Sequence, residues 1–280
     1  MIDVLIAPFA QNEFMLRALA GGLLVSLSCA VVGSFVVLRG LAFIGDALSH
    51  GVLPGVAVAL LFGLPGMVGA AAGSLAMIAG IGYVTKRSSL SSDTAIGLLF
   101  VGMLALGVVI VSRSTSFSGD LVHILFGEVL GISWADVAGQ ALAALAVSSA
   151  ALLCRRPFLL LCFSPEQADV SGFPSKRYHS IMLLMIALTV VVSFKTVGTL
   201  LVFGLLIAPA ASASLYSRKV GSMMLLAWAF GALSVYLGLL ASYHLNIAGG
   251  AAIALAATLL FFVLLESKRL AARSREAEHA

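Results

Sequence analysis

The chain has 280 residues, of which 61% are hydrophobic and 10% charged, with a formal net charge of +4 and a mean hydropathy of +1.13. A soluble domain carries about 25% charged residues, so this chain has too little polar surface to cover itself in water and reads as one all-α, polytopic transmembrane domain. The positive balance does not point to nucleic acid: the basic residues fall in gaps between apolar runs, at Lys86–Arg87, Arg155–Arg156, Lys176–Arg177, Arg218–Lys219 and Lys268–Arg269, the positive-inside pattern of cytoplasmic loops.

In chain order, the N-terminus, with Asp3 and Glu13 and no basic region, does not read as a cleaved signal peptide. Apolar runs follow at about 14–38, 42–62, 66–85, 94–112, 135–154, 179–194, 197–216, 221–243 and 247–265, each near the length that spans a bilayer. Basic gaps alternate with nearly uncharged ones, so the basic gaps are expected inside and the last run ends at the cytoplasmic face. Eight to ten spans are expected. "LVHILFGEVLG" at 121–131 is too short to span and is a candidate re-entrant segment, and the run around Gly198 and Pro209 carries helix-disrupting residues. Small residues, as in "GAAAGSLAMIAG" at 69–80, suit close helix packing in lipid. Cys29, Cys154 and Cys162 lack metal-type spacing and read as packing residues.

Within the second run, "GDALSHGVLPG" places Asp46 and His50 four residues apart, one turn apart on one helix face. If the span starts after Arg39, His50 lies roughly 16 Å along it, near the middle of a ~30 Å core. A charged Asp there costs on the order of 2.5–3.5 kcal/mol on insertion scales, so it needs a partner, a wet cavity or a passing cation. Ser49 adds a hydroxyl, and Gly51 with Pro54 and Gly55 is expected to loosen the helix beside a cavity. Three readings fit the pair: half of a nitrogen–oxygen site for manganese, zinc or ferrous iron, completed by a second copy of the chain; a proton relay; or a structural interhelical hydrogen bond.

The remaining ionisable residues gather at the expected outer face: Asp120, His123 and Glu128 in one gap and His244 in another. They form either a cation-attracting vestibule or a solvated rim. The longest polar gap, "RRPFLLLCFSPEQADVSGFPSKRY" at 155–178, is expected to hold a short helix from about Pro165 to Gly172, in an ordinary amphipathic loop or a docking element. The chain has no GxxxxGK[ST], HExxH or GxSxG motif, so it carries no P-loop for ATP and none of the easily read protease signatures.

The stretch "FVVLRGLAFIGDALSHGVLPGVAVALLFG" at 35–63 resembles the signature region of the membrane permease subunits of manganese, zinc and iron ABC transporters. "PFAQNEFMLRAL" (8–19), "SDTAIGLLF" (92–100), "DLVHILFGEVL" (120–130) and "SFKTVGTLLVFGLLIAPAASASL" (193–215) are similar to further blocks of that family, in order. The resemblance implies a multi-pass permease of the bacterial plasma membrane, paired with a second copy of itself. Two cytoplasmic ATPase subunits would bind and hydrolyse the ATP, and an extracytoplasmic metal-binding protein would deliver the metal. The chain itself would be no enzyme and would hold no permanent cofactor, its cargo being a divalent metal, manganese before zinc before iron. Asp46 and His50 match the pair that lines the family's translocation path. Glu166, Ala168 and Gly172 match its ATPase-coupling element at about 160–177, with Gln167 replacing the usual alanine. The alternative is a stand-alone secondary cation transporter or cation/proton antiporter with Asp46 and His50 as proton relay.

Overall fold

The computed structural model describes residues 2–88, 91–112 and 129–278, and among these no strand occurs. The helices are α1 (Ile2–Gln11), α2 (Glu13–Arg39), α3 (Ala42–Leu61), α4 (Gly66–Arg87), α5 (Ser92–Ser112), α6 (Trp134–Leu153), α7 (Arg155–Phe163), α8 (Pro165–Val170), α9 (Ser175–Tyr216), α10 (Val220–Leu245) and α11 (Gly249–Glu278). Of the 121–131 segment only the 3-10 turn Val129–Gly131 falls among the described residues. Eight described helices are long and apolar enough to cross a bilayer, and Leu201–Tyr216 is a shorter apolar helix.

That shorter helix is the second arm of α9. Gly198 breaks the helix at φ 74 and ψ 165, a conformation open to glycine and strained for other residues. The contacts on either side show that the chain reverses there. Before the break, Gln140 Nε2 near the start of α6 donates to the Val192 carbonyl at 2.8 Å. After it, Val202 meets Cys29 and Leu206 meets Gly33 and Gly45, moving back toward the basic end of α2. Among the described residues, eight long apolar helices and one short one leave every basic gap on one side, in agreement with the charge pattern.

The centre is built from α2, α3 and α9. In α2, 72% of the apolar window is buried, against 17% in α5, so α2 is wrapped by protein while α5 turns most of its side chains outward. Three buried hydroxyls are satisfied within their own helices: Ser34 bonds the Ala30 carbonyl, Ser49 that of Gly45 and Thr189 that of Met185. This is how a polar side chain is carried at low cost where no water is available.

Two expectations change. The helix α3 runs unbroken from Ala42 to Leu61 through Pro54, so the glycines and proline after His50 do not loosen it. They serve packing instead: a Cβ on Gly55 would strike the Gly69 carbonyl, and one on Gly73 the Gly51 carbonyl. Backbone-to-backbone approach of α3 and α4 explains why these positions are bare. The last helix also continues to Glu278, past the apolar limit at 265, because the polar residues beyond it are helix formers leaving the bilayer.

Candidate functional site

The helix α3 begins at Ala42, just beyond Gly40, whose φ of 69 closes α2. Asp46 and His50 therefore lie one and two turns into α3, and His50 stands about 12 Å along an axis of about 30 Å. The pair is somewhat nearer the basic end than counting from Arg39 gives.

Their side chains meet. His50 Nε2 lies 3.5 Å from Asp46 Oδ1, and the side chains are 22% and 29% exposed, respectively. His50 Nδ1 is buried without a hydrogen-bond partner, and its ring stands edge-on to Phe100 of α5 at 5.0 Å. Pro54, four residues on, has no amide to donate to the His50 carbonyl. Ser49 stands apart: it is buried, and its hydroxyl donates to the Gly45 carbonyl at 2.8 Å. The pair thus presents a carboxylate and an imidazole with spare bonding capacity, a donor set that suits first-row divalent ions.

Asp46 opens on a cavity of about 490 Å³ between α3 and α5, lined also by Phe43, Asp93, Thr94, Phe100 and Val101. Asp93 and Thr94 were legible only as part of a family block. Asp93 stands in the first turn of α5, where an acid also answers the helix dipole, so no spacing rule ties it to Asp46. No group of three or more His, Cys, Asp or Glu side chains able to hold a metal occurs among the described residues.

The other expected site residues lie elsewhere. His244 sits at the end of α10, its ring edge-on to Tyr243 at 5.3 Å, beside the αL cap Asn246. It is at the far end of the bundle from Asp46. Asp120, His123 and Glu128 lie outside the described residues.

At the basic end, α7 and α8 form the polar segment. Ser164 caps α8 by accepting from the Gln167 amide, and Pro165 takes the first helical position. Ala168 is buried, Glu166 is exposed and Gly172 turns the chain at φ 81. The Asp169 carboxylate closes the turn on the Ser175 amide at 2.7 Å and its hydroxyl at 2.8 Å, and those two bonds hold it below the usual carboxylate range. Phe163 and Val170 project outward, 78% and 90% exposed.

This segment is tied to α2. Arg39 donates through Nη1 to the Leu161 carbonyl, and Phe35 meets Phe158 edge-on at 5.2 Å. Tyr178 then joins Phe158 and Phe173 at 6.4 and 5.7 Å. The Cys162 thiol approaches the Phe35 carbonyl at 3.8 Å. Burial pushes that thiol up to about 11, with Arg39 pulling it down, so near neutral pH it is an uncharged packing group. Arg39, legible in the sequence only as a boundary marker, is thus the link between α7 and the start of α3.

The model of the ABC 3 transport family matches residues 11–268. The chain belongs to that family. It is 41% identical over 253 residues to the manganese transport system membrane protein MntC of Listeria monocytogenes, covering 90% of each chain. It is 36% identical over 273 residues to a probable iron transport system membrane protein of Haemophilus influenzae, covering 98% of this chain and all of that one. Among solved structures, PsaBC from Streptococcus pneumoniae in complex with Fab matches at a TM-score of 0.84 and 35% identity, covering 94% of this chain and 95% of that one. The chain is therefore a multi-pass permease of the metal-ion ABC transporter family, resident in the bacterial plasma membrane.

Proposed function

We propose that this chain is the translocation subunit of an ATP-driven importer of divalent manganese, in which Asp46 and His50 are the transient ligands of the metal. The observation that carries the reading is the Asp46–His50 contact of 3.5 Å on the flank of an open cavity, in a chain whose relatives are named for manganese and iron transport. Zinc and ferrous iron accept the same donors, so the preference for manganese rests on the relatives' names. A stand-alone antiporter with the pair as proton relay is not favoured by the family.

One pair leaves a first-row ion short of ligands, so two copies facing each other across the α3–α5 cavity would supply two carboxylates and two imidazoles. ATP would be hydrolysed on two separate cytoplasmic subunits docked at α8, with Glu166, Ala168 and Gly172 shaping the element and Phe163 and Val170 entering the partner. An extracytoplasmic binding protein would load the outer face, where Asp120, His123, Glu128 and His244 would draw cations. The metal is cargo, and weak two-residue ligation per copy suits its release.

The test is accumulation of manganese, zinc and iron in cells that lack their own uptake and express this chain with its ATPase and binding protein. Manganese is expected to accumulate first. Equal accumulation without the ATPase would refute the reading.

A further inference from the structure

Two cavities lie end to end along α9 and α11, away from the Asp46 site. The first, about 620 Å³, is at the basic end and is lined by Ser214, Tyr216, Ser217, Arg218, Ser267 and Lys268. The second, about 570 Å³, is a nearly apolar furrow between the same helices, walled by Gly204, Ala208, Ala211, Ala254, Leu255 and Phe262. The second arm of α9 and α11 both run toward the basic side, and cross-bonds fix their register. Tyr216 Oη bonds the Leu264 carbonyl and Ser267 Oγ, each at 2.7 Å, and Lys268 Nζ donates to the Leu215 carbonyl. With that register the furrow ends at Ala211 only about 4.5 Å before Ser214 on α9, and at Phe262 about 7.5 Å before Ser267 on α11.

From this continuity we infer that the two cavities form one site for an anionic phospholipid of the cytoplasmic leaflet, with the phosphate between Arg218 and Lys268 and one acyl chain in the furrow. The charges are complementary, and they stand at the membrane boundary where the positive-inside pattern places a headgroup. Ser217 Oγ is buried with no hydrogen-bond partner, a donor that a phosphate oxygen would satisfy. Lys268 also caps the end of α9, but an ammonium has three donors and that bond uses one. Small side chains line the furrow, and its floor is a close approach of the two helices, where a Cβ on Gly204 would stand 3.1 Å from Ala254. From Phe262 to Ala251 it runs about 16 Å, close to the half-thickness of a ~30 Å hydrocarbon core. Leu255 and Phe262, 58% and 56% exposed, leave its outer side open to the bilayer.

The test is native mass spectrometry of the full chain, with phosphatidylglycerol and phosphatidylcholine offered together. Phosphatidylglycerol is expected to be retained in preference. Arg218→Gln should weaken its retention about fivefold, and the double change with Lys268→Gln about 25-fold, at the usual strength of a basic residue near an anionic surface. Lys268→Arg, which keeps the positive charge, should preserve retention. Ala211→Phe should weaken retention by filling the furrow while leaving both cations in place. Equal retention of the two lipids would overturn the inference. So would displacement of the lipid by free glycerol phosphate at comparable concentration, which would mark a phosphate site without a chain. Efficient disulfide cross-linking of two copies through Leu255→Cys would also overturn it, since a second copy would then be the cover of the furrow.

Discussion

Asp46 and His50 are on one face of α3 because they are four residues apart, and that much follows from helical periodicity alone. What periodicity does not give is the set of groups around them. Ser49 sits between the two in sequence, yet it is buried with its hydroxyl turned to the Gly45 carbonyl. Phe100 and Asp93 come from another helix, and only packing brings them to the cavity. Asp169 shows the same limit: its bonds to Ser175 cross a turn whose closure depends on Gly172. Because those bonds lower its pKa in the folded chain, the order they confer is complete above the unfolded value and is lost as pH falls through the folded one. The Ser175 amide should therefore exchange more slowly in wild type than in Asp169→Asn at neutral pH, and the difference should vanish in acid. A difference that persists in acid would mean that the carboxylate is not the cause.

At the scale of elements, apolar length and charge gaps made the crossings legible, including the separation of 179–194 from 197–216. The reversal at Gly198 was not, because a glycine in a run marks a break without giving its angle. The small residues of α4 were legible as a packing pattern, whereas Gly51 and Gly55 of α3 were expected to loosen the helix, and the contacts between the two helices now set a graded expectation. Gly55→Leu forces a side chain into the Gly69 backbone and should cost at least about 1–3 kcal/mol. Gly82→Ala meets nothing within 4 Å and should be neutral or stabilising by up to about 1 kcal/mol. Thermal unfolding in detergent reads both, and equal melting of the two variants would contradict the close approach. Arg39 ties α7 to α2 just before α3. Arg39→Ala should leave ATP hydrolysis largely intact while lowering metal transported per ATP, and a parallel fall in both would make Arg39 a folding residue.

The whole chain is an apolar bundle whose perimeter helices are poorly covered by protein. Leu98, Val101, Val108 and Val109 on α5 are each between 57% and 61% exposed, and the cavity beside Asp46 opens on that helix. Composition made the membrane legible, but a single sequence carries no record of which outward face meets lipid and which meets another chain. If a second copy roofs the cavity, Val101→Cys should cross-link two copies under oxidation. Leu142→Cys, on an exposed position of α6, should not. The most direct measurement is ATP-driven manganese flux into vesicles holding the chain with its ATPase and binding protein, compared with Asp46→Asn and His50→Ala. Loss of a ligand is expected to lower flux tenfold or more, on the order of what disturbed metal sites show, while the complex still assembles and hydrolyses ATP. Unchanged flux in both variants would contradict the claim that the pair handles the metal.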